Sequence, residues 1–568
     1  MNGAAGGVLG ARISEVAALA RQGLGHEPDN SALLNVAAIC AAQLGDSGQA
    51  EALWRQALVC DPAFADLHNN LGVLLDEQRR FDEAESFFRE ALRLRPEYAE
   101  AYLNLGNVLR ARKRLVEAEE AYRSALRLRP DFVEAYNNLG TLLHGRDRLT
   151  EAEAAFHEAL RLRPESVEAC NNYGNLLDKQ NRYEEAEAFF WQALRLNPEQ
   201  VVGYLNLGNL FDRQSRHQEA MTVYLEALRR RPLDADALFF LSLTLLALGR
   251  YAEGWPLYEN RYNVGKKEPI LLLPELPFPQ WQGEDLTGKS LLVLHEQGYG
   301  DEMQFSRFLP VLKELGVSCI TLVCKKPLKA LLAYGLGIDR ILAHDEVDMK
   351  AVPSHDAWTL LLSIPLHLRI TLDNIPATLP YLHPPVERIS LWATAIPDKG
   401  CRVGLVWKGN PGHLNDLQRS LSGLAVLAPL WSVAGVTFVS LQTGSAAGEA
   451  AEHPTGQPLV DLGSMVQDFA DTAAIVAQLD LVIGVDTAVI HLAGALGKPC
   501  WVMLPGIGTD WRWLEKRCDS PWYPDVMRLF WQEGGRDWSP VVEQIKGALQ
   551  EFVTARAEDL HPGSPDHS

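Results

Sequence analysis

The chain has 568 residues, 47% of them hydrophobic and 22% charged, with a formal net charge of −20 and a pI near 5.3. A chain of this length accommodates roughly three or four domain-sized units. So acidic a balance argues against nucleic acid as a partner, because proteins that bind a phosphate backbone present a net basic surface. The opening MNGAAGGVLGARISEVAALARQ lacks the basic start and continuous apolar core of a signal peptide, and no later stretch reaches membrane-spanning length free of charge. The expected location is therefore the cytoplasm, with no membrane span. Eight cysteines include no C-x-x-C pair, so neither a zinc site nor a disulfide framework is indicated.

Residues 1–29 read as an N-terminal helical cap, and a strict period begins after them. Pro62, Pro96, Pro130, Pro164, Pro198 and Pro232 each follow the last by 34 residues, and Gly72, Gly106, Gly140, Gly174 and Gly208 keep the same step, as do Ala84, Ala118, Ala152, Ala186 and Ala220. In one copy, Leu103, Leu105 and Leu109 mark an apolar stripe, and Gly106 leaves room for a neighbouring helix. Ala118, Ala121 and Leu126 form the inward face of a second helix, which Pro130 terminates. The unit resembles the tetratricopeptide repeat, a pair of antiparallel helices. About seven such repeats over residues 30–265 predict an α-helical superhelix with a shared core and a concave groove.

Asn70, Asn104, Asn138, Asn172 and Asn206 ride on the same step, just before each motif glycine. In the resembled family the first helix of each pair faces the groove. The row is similar to the asparagine ladder in the repeats of protein O-GlcNAc transferases, which implies an acceptor peptide held through its backbone by amides that both donate and accept. A second reading stands beside it, in which each asparagine bonds within its own repeat.

The period ends after YAEGWPLYENRY, and residues 266–288 read as a Pro-rich linker. Beyond it come short apolar runs: SLLVLHEQG, ITLVC, RVGLVWKGN, VTFVSLQTG, LDLVIGVDT and PCWVML. Continuous apolar runs alternating with helical segments predict parallel strands covered on both faces. They fall into two Rossmann-like groups, 289–390 and 398–555, with 556–568 expected to be a disordered tail. Ligands of such sheets bind at the carboxyl ends of the strands.

Three motifs fall at strand ends. In HEQGYGDEMQF, Gly298 and Gly300 permit a tight turn and Asp301 starts a helix. In GLVWKGNPGHLNDLQRSLS, Trp407 and Lys408 follow a buried strand, and Arg419 and Ser420 introduce the next helix. In DLVIGVDTAVIHLAGALG a strand ends at Asp486. There Thr487 and Ala488 open a helix whose N–H groups favour a pyrophosphate, and His491 lies one turn in. Asp301 and Asp486 each have an ordinary alternative use as helix caps. Gln442 in SLQTG neighbours the same region. Farther on, Trp511, Trp513, Trp522 and Tyr523 surround Arg512. Packing is the favoured use of these aromatics, and Arg512 is the residue expected to reach a ligand.

Together the motifs resemble those of heptosyltransferase-like enzymes, glycosyltransferase family 9, whose two Rossmann-like halves make the GT-B arrangement. The resemblance implies an N-terminal acceptor-side half and a C-terminal half that binds a nucleotide sugar, with Asp301 as general base and Lys408 beside the donor phosphates. The donor site would comprise Gly300, Trp407, Lys408, Arg419, Ser420, Gln442, Asp486, Thr487, Ala488, His491 and Arg512. Ala488 departs from the glycine frequent in that family. The implied activity is inverting transfer from a nucleotide-diphosphate sugar to a protein acceptor recruited by the repeats, flagellin-like proteins among the possibilities. No cofactor is implied, and no acidic pair in the sequence calls for a metal. Two alternatives remain: a lipopolysaccharide or other glycan acceptor, and a non-catalytic repeat scaffold.

Overall fold

A computed structural model describes residues 2–264, 273–348, 352–413, 415–451, 459–533, 535 and 537–560. The chain forms two compact units, residues 1–206 and 207–568. The first is wholly helical. It holds α1 (Asn2–His26), α2 (Ser31–Gln43), α3 (Ser47–Cys60), α4 (Ala65–Glu77), α5 (Phe81–Leu94), α6 (Ala99–Ala111), α7 (Leu115–Leu128), α8 (Val133–Gly145), α9 (Leu149–Leu162), α10 (Val167–Lys179), α11 (Tyr183–Leu196) and the start of α12 (Val201–Arg213).

Each pair is closed by a glycine meeting an aromatic ring. A Cβ on Gly72, Gly106, Gly140 or Gly174 would lie 2.5–2.7 Å from a ring carbon of Phe88, Tyr122, Phe156 or Phe190, the residue 16 positions on. No side chain fits there, so the glycines are dictated by helix contact. The turn inside each pair is left-handed at Arg79, Lys113, Asp147 and Asn181, all at φ 61°.

Polar ladders join successive repeats. Arg80, Arg114, Arg148 and Arg182 each grip a glutamate of their own repeat and one of the repeat before, as when Arg114 holds Glu117 and, at 2.7 Å, Glu85. The asparagines make a second ladder, described below.

The second unit begins with the rest of α12, then α13 (His217–Arg230), α14 (Ala235–Ala247) and α15 (Tyr251–Tyr258), which runs into a 3-10 turn at Glu259–Tyr262. Next come β1 (Ser290–Leu294), α16 (Tyr299–Phe305), α17 (Phe308–Glu314), β2 (Cys319–Cys324), α18 (Lys329–Leu332), β3 (Arg340–Ala343), β4 (Ala357–Leu360), α19 (Ile364–His367) and α20 (Val386–Trp392). The last part holds β5 (Cys401–Val406), α21 (Asp416–Arg419), β6 (Val436–Ser440), β7 (Leu459–Asp461), α22 (Phe469–Ala477), β8 (Leu481–Val485), α23 (Ala488–Ala495), β9 (Cys500–Leu504), β10 (Met527–Trp531) and α24 (Ser539–Leu560).

Two sheets result, ordered β3-β2-β1-β4 and β10-β9-β8-β5-β6-β7. Every pairing is parallel. In the first sheet the order reverses at β1, and in the second between β5 and β8. Those reversals leave crevices at the strands' carboxyl ends, which is where all three sequence motifs lie.

The paired helices continue to α15, in keeping with an array expected to end near 265, but the compact units divide earlier, within α12. Leu246 and Ala247 of α14 and Tyr251, Trp255 and Tyr258 of α15 join the core of the α/β region. Trp255 is 2% exposed and donates to the Ile370 carbonyl at 3.0 Å, and Trp522 donates to the Tyr251 hydroxyl at 3.0 Å. Beside them lies a buried ion pair. Arg261 donates from Nε and Nη2 to both oxygens of Glu296, each at 2.9 Å, and Nη2 also reaches Ser363 at 2.7 Å. Part of the expected 266–288 linker lies outside the described residues; within its described part Trp281 is buried. The expected tail is helical through Leu560 in α24, and 561–568 lie outside the described residues.

Candidate functional site

A cleft of about 1350 Å³ opens where the carboxyl ends of the two sheets face each other. All residues expected at the donor site line it except Trp407, together with Asp301. The exception is a correction: the Trp407 indole is fully buried in the core of the second sheet, and its Nε1 donates at 2.9 Å to Glu449, which itself lines the cleft. Apolar alternation turns it inward, and only its backbone serves the cleft, its N–H donating to Gln442 Oε1 at 3.1 Å.

Asp301 sits in the first turn of α16 and not at its start. Gly298 is the N-cap, and Asp301 Oδ2 accepts the Gly298 N–H at 2.7 Å. The carboxylate therefore caps the helix with one oxygen and presents the other to Arg512 Nη2, with which it is hydrogen-bonded. Asp510, which sequence reasoning missed, holds Arg512 Nη1 with both oxygens at 2.8 Å. Burial alone pushes the Arg512 pKa down, but Asp301 and Asp510 outweigh it and raise the pKa, so the guanidinium stays charged.

Gly300 has a specific reason to be glycine. A Cβ there would meet His491 Cδ2 at 2.7 Å, so the first and third motifs touch through this residue. The His491 ring stacks on Trp513 at 5.3 Å with 22° between planes, and Nδ1 is 3.0 Å from the Tyr523 hydroxyl. Burial, helped by the Arg512 charge, lowers its pKa to about 4, so the ring is neutral at pH 7. Asp486 accepts from Trp513 Nε1 at 3.0 Å and is 3.7 Å from His491 Nε2. Burial raises its pKa, and the charge of Asp510 adds to the effect. It does not cap α23. Thr487 is the N-cap, and its buried Oγ1 has no protein partner among the described residues. Thr487, Ala488 and Val489 at this terminus line the cleft.

Other expected residues shape the cleft wall more than they reach into it. Lys408 Nζ is bonded to Glu449 Oε1. Gln442 spends its amide on backbone, accepting from Lys408 N at 2.9 Å and donating to Lys408 O at 3.2 Å. Arg419 and Ser420 close the short helix α21 instead of opening one. Ser420 Oγ accepts from Gly409 N and donates to Asp416, both at 2.8 Å, and Arg419 lies 3.5 Å from Asp416. Every lysine or arginine expected to meet an anion thus already faces a carboxylate.

In the first unit the expected asparagine row is partly consumed. Nδ2 of Asn70, Asn104 and Asn172 donates to Asn35, Asn69 and Asn137 of the preceding repeat at 2.9–3.1 Å, and Asn138 donates to Asn107 at 2.9 Å. These Nδ2 bonds run between repeats, and within one repeat Asn138 Oδ1 also accepts from Asn137 Nδ2 at 3.5 Å. Asn206 Nδ2 has no partner among the described residues. All five side chains remain half-buried.

Among the described residues, no three His, Cys, Asp or Glu side chains come together as a metal site, and no helix is long and apolar enough to cross a membrane.

Fold and comparison show tetratricopeptide repeats in the N-terminal part of the chain, followed by a region of parallel sheets. Profiles described as tetratricopeptide repeat match residues 36–96, 69–131 and 205–262, and another matches 131–199. Protein FlbA of Caulobacter vibrioides is 32% identical over 348 residues, an alignment spanning 57% of this chain and 56% of that protein. The match thus extends over little more than half the length of that relative. Among solved structures, the APC/C hetero-tetramer Cut9–Hcn1 is 18% identical over 42% of this chain and 46% of that one, with a TM-score of 0.38. PilF of Pseudomonas aeruginosa is 23% identical over 37% and 96%, with a TM-score of 0.33. These scores are too low to carry a conclusion about the chain.

Proposed function

We propose that the chain is an inverting, metal-independent glycosyltransferase of GT-B type that moves a sugar from a nucleotide-diphosphate donor to a protein recruited by the repeats. The observation that carries the reading is the meeting of three strand-end motifs in one large cleft at the reversal points of both sheets. The acceptor hydroxyl loses its proton to Asp301 as its oxygen attacks the anomeric carbon. The bond from that carbon to the diphosphate breaks, and its electron pair leaves with the nucleotide. The N-terminus of α23 and the cations of the cleft offset the charge that develops there. Lys408 and Arg419 would have to exchange a carboxylate for the phosphate.

A second reading, a protein-binding scaffold with an idle cleft, is favoured by one observation: the charged groups of the cleft are already paired, Asp301 with Arg512, Lys408 with Glu449 and Arg419 with Asp416. A thermal-shift screen of ADP, GDP, UDP and CDP and their sugar conjugates separates the two. A ligand that binds only the folded state at 100 times its Kd stabilises by about 2.7 kcal/mol. The transferase reading requires one such ligand, and turnover of it that Asp301→Asn abolishes. No shift with any nucleotide leaves the scaffold.

A further inference from the structure

The last repeat reaches the cleft through stacked rings. Trp255 of α15 meets Trp511 edge-on at 5.5 Å, and Tyr251 meets the same ring edge-on at 6.0 Å. Trp255 also lies edge-on to Phe305 at 6.3 Å, and Phe305 ends the helix that carries Asp301. Arg512 Cζ lies 4.6 Å over the same Trp511 indole and 5.7 Å from Phe305. All four aromatic side chains are buried.

We propose that the last repeat is a positioning element of the cleft: Trp255 and Tyr251 fix the Trp511 ring, Trp511 fixes the plane of the Arg512 guanidinium, and Arg512 fixes the free oxygen of Asp301. Hydrogen bonds hold only the two outer nitrogens, Nη1 to Asp510 and Nη2 to Asp301, and Nε has no partner among the described residues. The Trp511 face against the guanidinium supports the plane where the bonds do not and keeps Nη2 directed at Asp301. A base displaced by a fraction of an ångström loses alignment with its proton, so the consequence falls on turnover more than on binding. The inference rests on the transferase reading for that consequence and not for its geometry.

The test uses the full chain with Trp255→Leu and Trp255→Phe, at a residue that does not line the cleft. With the donor found by the screen, Trp255→Leu is expected to lower kcat at least tenfold while the donor KM stays within twofold, and Trp255→Phe to recover to within threefold of the parent. Hydrogen exchange of the same proteins is expected to quicken together in 299–305 and 511–514 with 401–406 unchanged. An unchanged kcat, a loss carried by KM, or faster exchange confined to the neighbourhood of Ile370 overturns the inference. If the parent turns over no nucleotide sugar, the transferase reading fails and exchange alone decides the positioning claim. Should Trp255→Leu not fold, Trp511→Phe takes its place with the same expectations.

Discussion

Replacing Arg261 by methionine should destabilise the second unit severely, because it strands a charge where water cannot reach. Glu296 and Arg261 expose 1% and 3% of their side chains. Burial raises the Glu296 pKa above its ordinary value, and Arg261 beside it opposes that rise without cancelling it. Breaking a buried pair from one side costs about 3–5 kcal/mol, a large share of the 5–15 kcal/mol that typically stabilises a domain. The double change Arg261→Met with Glu296→Leu removes both charges and should recover most of the loss. In the single variant a raised Glu296 pKa means that the folded state binds the extra proton, so stability should fall as pH rises, and the loss should be larger at pH 8 than at pH 5. Arg93, which pairs with Glu90 at the surface, provides the control: Arg93→Met should matter far less. Urea unfolding followed by near-UV circular dichroism measures all four proteins. A loss below about 1 kcal/mol for Arg261→Met, or a double variant no better than the single, would refute the claim that this pair welds the last repeat to the first sheet.

Gly106→Ala places a methyl 2.5 Å from the Tyr122 ring and should cost about 1–3 kcal/mol in thermal melts. Gly145→Ala, in helix α8 with nothing within 4 Å, should instead gain about 0.4–1 kcal/mol. Glu302, 1% exposed and raised to about 7 chiefly by burial, binds a proton in the folded state that the unfolded chain has released. The parent's stability relative to Glu302→Gln should therefore fall by about 3 kcal/mol between pH 4.5 and 7, and a flat difference across denaturation curves in that window would reject the assignment. A chain beginning at Val201 should unfold cooperatively by circular dichroism. One beginning at Pro256 should aggregate, having lost Tyr251 and Trp255 from beneath Trp511 and Trp522.

What was legible in the sequence follows from how local each interaction is. The 34-residue period was plain because one helix contact is repeated, although the aromatic 16 positions after each glycine carries half of that contact and was not read. Strands β1, β2, β5, β6, β8 and β9 were visible as unbroken apolar runs, whereas β3, β4, β7 and β10 were not. Those four are the edges of the two sheets. An edge strand has one neighbour and shorter pairing, so β3 begins on an exposed Arg340 and β7 is only Leu459–Asp461, too little apolar sequence to announce a strand. In the cleft, the motif residues were found because they follow strands in sequence. Their partners Asp510, Glu449 and Tyr523 come from distant loops, and no spacing rule connects Asp510 to Asp301 or Tyr523 to His491.

The division into compact units inside the repeat array has the same origin and a sharper consequence. A repeat is defined by the period of its helices, and by that measure the array runs to Tyr262. A folding unit is defined by where apolar faces are spent. Along most of the array the second helix of a pair spends its face on its own partner and the next repeat, so period and unit coincide. In α15 they part, because Tyr251, Trp255 and Tyr258 have no following repeat to cover them and are covered by α16, α19 and the Trp511 loop instead. An ordinary solenoid ends in a polar cap. Here the cap is the α/β region itself, so any change that loosens one side must expose aromatic surface on the other, and the two cannot be separated at the point where the period ends.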